Sequence, residues 1–388
     1  MRLQRQLGVP VRTDADRVVA LAPLECPLPG KGSHRMSSTT PPPNGLVGSL
    51  QATIDECIAA CLPAGCRVAH VGFPNHWNTG DPAIWLGTHA ALARHGCSVA
   101  YQCAWQDYDR ELMARQIGGG PILIAGGGNL GDLWPNHQLF RERILADFPE
   151  NPVLQLPQSL CFEQEKNLER FRALCARHSR FHLLLRERRS LASAAQLLDV
   201  PISLCPDMAF GLGLLERPVV PTADVLWLLR SDKESCGALR DLPGGFVQRD
   251  WLDLGVEDAD AERNAVKLGI RIQDLVNAAR NGPANATPVF SALAEAYEAL
   301  AWLRVDRGLR LLSRGRAIVT DRLHGHILGL CLGIPQVVLD NSYHKISSTF
   351  ETWTAPSAIT RWADSFEQAV SHCQALTGVV ECAAEISP

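Results

Sequence analysis

Ala317-Ile318-Val319-Thr320-Asp321-Arg322-Leu323-His324-Gly325-His326 runs from a short apolar segment into a polar turn, and a second apolar run, Ile327 to Leu332, follows at once. The first run is strand-like and the second helix-like. A strand that ends in a polar turn and opens a helix places the turn at the carboxyl edge of a parallel sheet, where open α/β proteins bind ligands. This turn brings an arginine, a histidine and the unpaired backbone N–H groups of a helix N-terminus. That combination suits a phosphate or a carboxylate.

The same rhythm extends outward in both directions. Arg67 to Phe73 predicts a buried strand and Pro82 to His95 a helix, with Asp81 as its N-cap and Pro82 at its first position. Strands are predicted at Cys97 to Cys103, Pro121 to Ala125, Val153 to Leu156, Phe181 to Leu185 and Ile202 to Leu204. Helices are predicted over Leu133 to Asp147 and Phe162 to His178. A second α/β unit starts near Ala223 to Leu229 and continues through a long helix, Ser291 to Ser313, the strand at Ala317, and Gln336 to Leu339. Alternation of this kind predicts an α/β protein of doubly wound parallel sheets. Gly211 to Pro221, rich in glycine and proline, marks the join. The expected layout is a tail over 1–47 without stable structure, a first domain over 48–212, a second over 222–362, and a helix and tail over 363–388. The C-terminal helix is expected to pack back across the domains, which would face one another across a cleft. Ser231 to Pro288, with Pro243-Gly244-Gly245 and Asn281-Gly282-Pro283, reads as turns.

Composition narrows the function. The chain has 388 residues, 46% of them apolar, enough for two domains of ordinary size. A net charge of -4 argues against a nucleic-acid partner. The 13 cysteines form no paired framework. Cys57, Cys61 and Cys66 come closest, but no second Cys/His pair stands at zinc-ligand spacing, so no metal is expected and the thiols read as buried and reduced. No signal-peptide core and no run of about 20 apolar residues is present, which predicts a cytoplasmic protein, peripheral at the membrane only if its substrate is held there.

Two loops rhyme. Asn78-Thr79-Gly80-Asp81 follows one predicted strand, and Asn129-Leu130-Gly131-Asp132 follows another, directly after Gly126-Gly127-Gly128. Glycine lets a backbone approach a ligand closely, and each aspartate can cap the following helix. Neither loop fits a dinucleotide or P-loop pattern, so no nucleotide cofactor is implied. Arg186, in Arg186-Glu187-Arg188-Arg189-Ser190, is placed to meet an anion. Asp207 stands at another strand end, suited to a substrate hydroxyl, a nearby arginine or a turn. His324 is the leading acid–base candidate, and His326, two residues on, faces elsewhere. Lys345, near Asn341, Tyr343 and His344, is a phosphate partner, and His76 and Trp77 offer a polar tip and a stacking face for a sugar.

Asn-x-Gly-Asp, Gly-Gly-Gly-Asn-x-Gly-Asp, Arg-Glu-x-x-Ser, Pro206-Asp207 and Thr320-x-Arg322-x-His324-Gly325, in that order, resemble the pattern of polysaccharide pyruvyl transferases. The resemblance spans Val68 to Trp353 and departs mildly at Glu187, where aspartate is common. It implies two Rossmann-like domains in a glycosyltransferase-B-like arrangement, with the acceptor on the first and the donor on the second. It implies transfer of a carboxyethylidene group from phosphoenolpyruvate to a sugar diol of an exopolysaccharide or its precursor, lipid-linked acceptors included. On that basis Arg322 and His324 contact the donor and Arg186 is a second anion clamp; Leu323 is grouped with the donor side, and the chemistry calls for an aspartate, Asp81 or Asp132, to orient or deprotonate a hydroxyl. Asn78, Gly80, Gly127, Gly128 and Asn129 form the acceptor-side loops. A nucleotide-sugar glycosyltransferase is the competing expectation, since a diphosphate would attract the same cations, and a non-catalytic scaffold is the third.

Overall fold

The computed structural model describes residues 45–230, 246–255, 258–282, 287–341 and 344–377, all within one compact unit. The tail before residue 45, Pro243-Gly244-Gly245, Pro283 and Tyr343 lie outside the described residues. The first half runs α1 (Leu46–Cys61), β1 (Arg67–Val71), α2 (Gly80–Arg94), β2 (Ser98–Cys103), α3 (Arg110–Ile117), β3 (Ile122–Ile124), β4 (Gly127–Gly131), α4 (Pro135–Asp147), β5 (Val153–Cys161), α5 (Glu165–Cys175), β6 (Phe181–Leu185), α6 (Arg188–Leu197) and β7 (Ile202–Leu204). The second runs β8 (Ala223–Leu228), β9 (Phe246–Arg249), α7 (Ala259–Asn281), α8 (Thr287–Ser313), β10 (Gly315–Thr320), α9 (Leu323–Cys331), β11 (Gln336–Val338), α10 (Lys345–Thr349), a π-helical turn (Phe350–Thr354), β12 (Thr360–Trp362) and α11 (Phe366–Thr377).

Both sheets are parallel throughout. The first is ordered β2-β1-β3-β5-β6-β7, with β4 also paired to β5, and the second β9-β8-β10-β11-β12. The strand order reverses at the same place in each, between β1 and β3 and between β8 and β10. A reversal leaves a crevice beyond the carboxyl ends of the two strands, because their outgoing connections leave to opposite faces.

Period-2 alternation explains why the strands read as unbroken apolar runs. Val68, Leu123, Leu154 and Leu184 enter one core while their neighbours Ala69, Ile122, Val153 and Leu183 enter another. In the second sheet Leu226, Leu228, Ile318 and Val338 join that first core, and Val225, Trp227, Val319 and Val337 form a third. One central core therefore serves an inner face of each sheet, and α1, α2, α8 and α9 fill it. Each of the buried valine, leucine and isoleucine side chains among these contributes about 1.5–3 kcal/mol.

Several expectations need correction. Two of the three glycines before Asn129 are in a strand, since Gly127 to Gly131 is β4, held by pairing with β5, and only Gly126 stays in the connection. The stretch expected to be turns contains β9 and the 23-residue helix α7. The C-terminal helix α11 packs on β8, β10 and β11 of its own sheet, with Ala369 and Cys373 in the outer core, and does not cross to the first sheet. Helix α2 starts at Gly80, so Asp81 is not its N-cap; Asn78 Oδ1 instead accepts from Gly80 N at 3.0 Å. Among the described residues no helix is long and apolar enough to cross a membrane.

Candidate active site

The two strand-order reversals open onto one pocket of about 370 Å³. The β1 end contributes His76, Asn78 and Asp81, and the β3 end Gly126, Gly128 and Asn129. Arg186 comes from the end of β6, Arg230 from β8, Trp251 from β9, Arg322, Leu323 and His324 from β10, and Asn341 and Lys345 from β11. Four permanent cations, Arg186, Arg230, Arg322 and Lys345, thus line it with Asp81 as the carboxylate.

The loop after β1 is pinned from the second half. Arg304 of α8 donates to Pro74 O at 2.7 Å and to Asn75 Oδ1 at 2.9 Å. Its guanidinium also lies 5.8 Å from the Trp77 ring. Trp77 packs against the central core and is not part of the pocket wall, so it is not the sugar-stacking face expected of it. His76 does line the pocket, and its Nε2 stands 3.2 Å from Asp81 Oδ2. Burial works to raise the Asp81 carboxyl, but the hydrogen bond and charge of His76, with His324 and His137 beyond, hold it well below the usual carboxylate range.

His324 opens α9 over the first turn of α2. A Cβ on Gly80 would stand 2.1 Å from His324 Nδ1, so residue 80 must be glycine for the ring to take this position. Gly80→Ala is compatible with the helical backbone, so the fold should persist while the ring is displaced. Because misplacement of a reacting group by about 1 Å costs on the order of 10²-fold in rate, kcat should fall by about that factor, with a modest drop in melting temperature because the methyl also stands 2.8 Å from His324 Cβ on α9. Steady-state kinetics beside a thermal melt reads both.

On its other side His324 Nε2 lies 3.5 Å from Asp207 Oδ2. Asp207 is 1% exposed and lies outside the pocket wall. Its carboxylate accepts from Arg186 Nη1 at 2.8 Å and from Ala209 N at 2.9 Å. Burial pushes its carboxyl up, yet the charge and hydrogen bond of His324, then Arg186 and the Ala209 N–H, bring it down to about 2. Asp207 therefore acts behind the pocket, orienting the histidine and the arginine together.

Arg186 is 3% exposed and spends Nε on Ser159 Oγ (2.8 Å) and Nη1 on Asp207. Its Nη2 is left toward the pocket, 2.9 Å from where a Cβ on Gly128 would stand; Lys345 Nζ is 3.4 Å from the same point. Gly128 thus leaves open the space that two cations share, a seat for a phosphate or carboxylate. Arg322 is 3% exposed, and its Nη2 donates to Asp250 Oδ2 at 2.6 Å.

Asp321 flanks this group and accepts from Arg230 N at 2.8 Å. Burial pushes its carboxyl up to about 6, against that N–H and the charges of Arg322 and Arg230. The folded protein then binds this proton more tightly than the unfolded chain, so Asp321 makes stability fall as pH rises from about 4 through 6. Asp321→Asn keeps an acceptor for the Arg230 N–H without the charge. Its melting temperature relative to wild type should rise between pH 4 and pH 7, and a pH-independent difference would contradict the assignment.

Besides Trp77, Asp207 and Gly80, which stand off the wall, Asp132 and Gly127 of the expected set also lie outside it. Asp132 turns away from the pocket: its carboxylate accepts from Glu163 N and Gln164 N, both at 2.7 Å on the approach to α5, and from Asn167 Nδ2 at 2.6 Å. Gly127 is in β4 at φ +133°, beside but not on the wall. His326 is fully buried and bonds Thr354 Oγ1 at 2.8 Å. Trp134, His137, Arg230, Trp251 and Asp250 were not anticipated; Arg230 could have been, since it ends a strand as Arg186 does.

Fold and pocket are those of a parallel α/β protein whose pocket, lined by cationic side chains, lies where its sheets reverse their strand order. The profile of the family described as "Polysaccharide pyruvyl transferase" matches residues 78–343. The chain is 32% identical over 298 residues to "Putative pyruvyl transferase EpsO" of Bacillus subtilis, covering 75% of this chain and 87% of that protein. It is also 32% identical over 300 residues to "Pyruvyl transferase 1" of Schizosaccharomyces pombe, covering 74% and 69%. A crystal structure of a functionally uncharacterised protein from Klebsiella pneumoniae shares the fold, with a TM-score of 0.50 at 16% identity over 81% of this chain and 99% of that one. The chain belongs to the polysaccharide pyruvyl transferase family, and it is a pyruvyltransferase.

Proposed function

We propose that the protein transfers the pyruvyl group of phosphoenolpyruvate to a sugar diol of an exopolysaccharide or its precursor, forming a cyclic ketal and releasing phosphate. The observation that carries this reading is the convergence of Arg186, Arg322, Lys345 and His324 with Asp81 in one pocket. Phosphoenolpyruvate holds a carboxylate and a phosphate on one small frame and needs several cationic partners. The first half, 48–212, supplies the acceptor side and the second, 222–362, the donor side, in a glycosyltransferase-B-like arrangement.

His324 gives a proton to the methylene carbon, so that C2 becomes electrophilic. One sugar hydroxyl adds at C2 and phosphate leaves with its bridging oxygen. A second hydroxyl then adds at C2 and closes the ketal. Of the two hydroxyl protons lost, one restores that given to the methyl group and the other leaves with phosphate. Arg186, Arg322 and Lys345 hold the anionic oxygens throughout, and Asp81 orients the attacking hydroxyl.

The direct test is phosphate release from phosphoenolpyruvate by the purified protein with galactosyl, glucosyl and mannosyl acceptors. Acceptor-dependent release, with a ketal in the product, is expected. Failure to bind phosphoenolpyruvate would overturn the reading.

A further inference from the structure

The side-chain amide of Asn129 stands on the pocket wall, and its orientation is set from behind. Its Oδ1 accepts from Arg141 Nη2 at 2.8 Å and from Gln158 Nε2 at 2.9 Å. A guanidinium offers donors only, so the amide atom that meets it must be the oxygen. The NH2 group is then the amide's other end, and it makes no hydrogen bond among the described residues.

Arg141 is 1% exposed and lies outside the pocket wall. Its remaining groups go to Gln155 Oε1 (2.6 Å) and Gln138 Oε1 (2.7 Å). Among the described residues no carboxylate accepts a hydrogen bond from it, and burial brings its pKa down to about 9 against the nearby charge of Glu142. A buried arginine held only by amides is costly to keep, and the one of those amides that reaches the pocket is Asn129.

What the exposed NH2 faces identifies its ligand. Asn129 Nδ2 is 3.9 Å from the point a Cβ on Gly127 would occupy, and Asp81 Oδ1 is 3.6 Å from the same point. An acceptor and a donor thus flank one point, which they share with an apolar neighbour, Ile84 Cδ1 at 3.7 Å. An anion would be repelled by Asp81, whereas a hydroxyl donates and accepts at once.

We propose that Asn129 Nδ2 and Asp81 form a hydroxyl-recognition pair for the sugar acceptor, and that Arg141 is a positioning residue that fixes which end of the Asn129 amide faces the pocket. The inference rests on the pyruvyl-transfer reading and specifies how its acceptor is held. Asn129→Asp keeps the shape and the bond to Arg141 but turns a second oxygen, not a donor, toward the pocket.

The experiment measures phosphate release from phosphoenolpyruvate with methyl β-galactoside, methyl β-glucoside and methyl α-mannoside, beside calorimetric binding of phosphoenolpyruvate alone. Asn129→Asp should raise the acceptor KM at least about tenfold, the loss of one good hydrogen bond, with donor affinity within about twofold of wild type. Arg141→Met should act in the same direction, Arg141→Lys less so. Arg141→Met combined with Asn129→Asp should be no worse than Asn129→Asp alone, because the arginine acts through the amide. Additive losses would reduce Arg141 to a purely structural role and overturn its positioning. A change in donor affinity without a change in acceptor KM would overturn the hydroxyl pair while leaving pyruvyl transfer standing. No glycoside-dependent release by the wild type would overturn the pair as a site for a simple sugar diol, and the donor-binding measurement would then decide whether the function reading falls with it.

Discussion

Replacement of His324 by alanine is expected to lower kcat by about 10²–10⁴-fold, the range over which a positioned general acid contributes, while phosphoenolpyruvate still binds. The reason is geometric. Arg186, Arg322 and Lys345 surround the pocket independently of His324, so the anionic ends of the donor keep their partners when the ring is removed. The group lost stands between Asp207 and the first turn of α2, where Asp81 resides. The fold should survive, because the ring packs against a glycine and not within an apolar core. Rapid-mixing measurement of phosphate release with calorimetric donor binding separates the two effects. Near-normal turnover in His324→Ala would remove the acid role altogether, whereas weakened donor binding with unchanged kcat would make the histidine a binding group.

How much of this was legible in the sequence depends on which interactions are local. Strand ends can be read from sequence, because a parallel strand buried on both faces gives an unbroken apolar run, as at Ile122–Ile124 and Ala317–Thr320, and the residue after the run must lie at the sheet edge. That places Arg186, Arg322 and His324 at strand ends, and all three line the pocket. The rhyme between the Asn-x-Gly-Asp loops misleads for a physical reason. Asp81 finds His76 across its own loop and lines the pocket, while Asp132 finds the backbone N–H groups of Glu163 and Gln164, some 30 residues away on the approach to α5. A shared Asn-x-Gly-Asp pattern carries no record of which chain segment arrives nearby. Strand β4 was hidden because its glycines have no side chains to alternate, and only pairing with β5 makes it a strand. Helix α7 had a signal that was overlooked: Ala265, Ile272, Leu275, Val276 and Ala279 fall on one helical face and are its buried residues. Arg141 and Asp250 were beyond reach, since each acts through a partner distant in sequence.

Arg322→Met should both destabilise the protein and weaken donor binding, and the two effects are separable. Arg322 and Asp250 are 4% and 2% exposed at the side chain, 72 residues apart in sequence and joined at 2.6 Å. Removing one partner of such a pair leaves a charge buried without it, which costs about 3–5 kcal/mol. A loss of that size in a chain of marginal stability should lower the denaturant midpoint clearly at unchanged m-value. The second substitution, Asp250→Leu, removes the stranded carboxylate and fills its space with apolar atoms. Arg322→Met/Asp250→Leu should therefore recover most of the lost stability, since buried ion pairs are often replaceable by apolar ones at little cost. It should not recover phosphoenolpyruvate affinity, because a charge-assisted contact contributing about 1.5–3 kcal/mol is absent from both variants. Arg322→Lys is an intermediate case: the charge remains, but a lysine cannot serve Asp250 and a ligand oxygen through one planar fork. If the double variant regained donor affinity together with stability, Arg322 would be a structural residue whose place on the pocket wall is incidental, and the donor would have to be held by Arg186 and Lys345 across Gly128. If it regained neither, Asp250 would itself be required, holding the guanidinium at the angle at which the donor meets it.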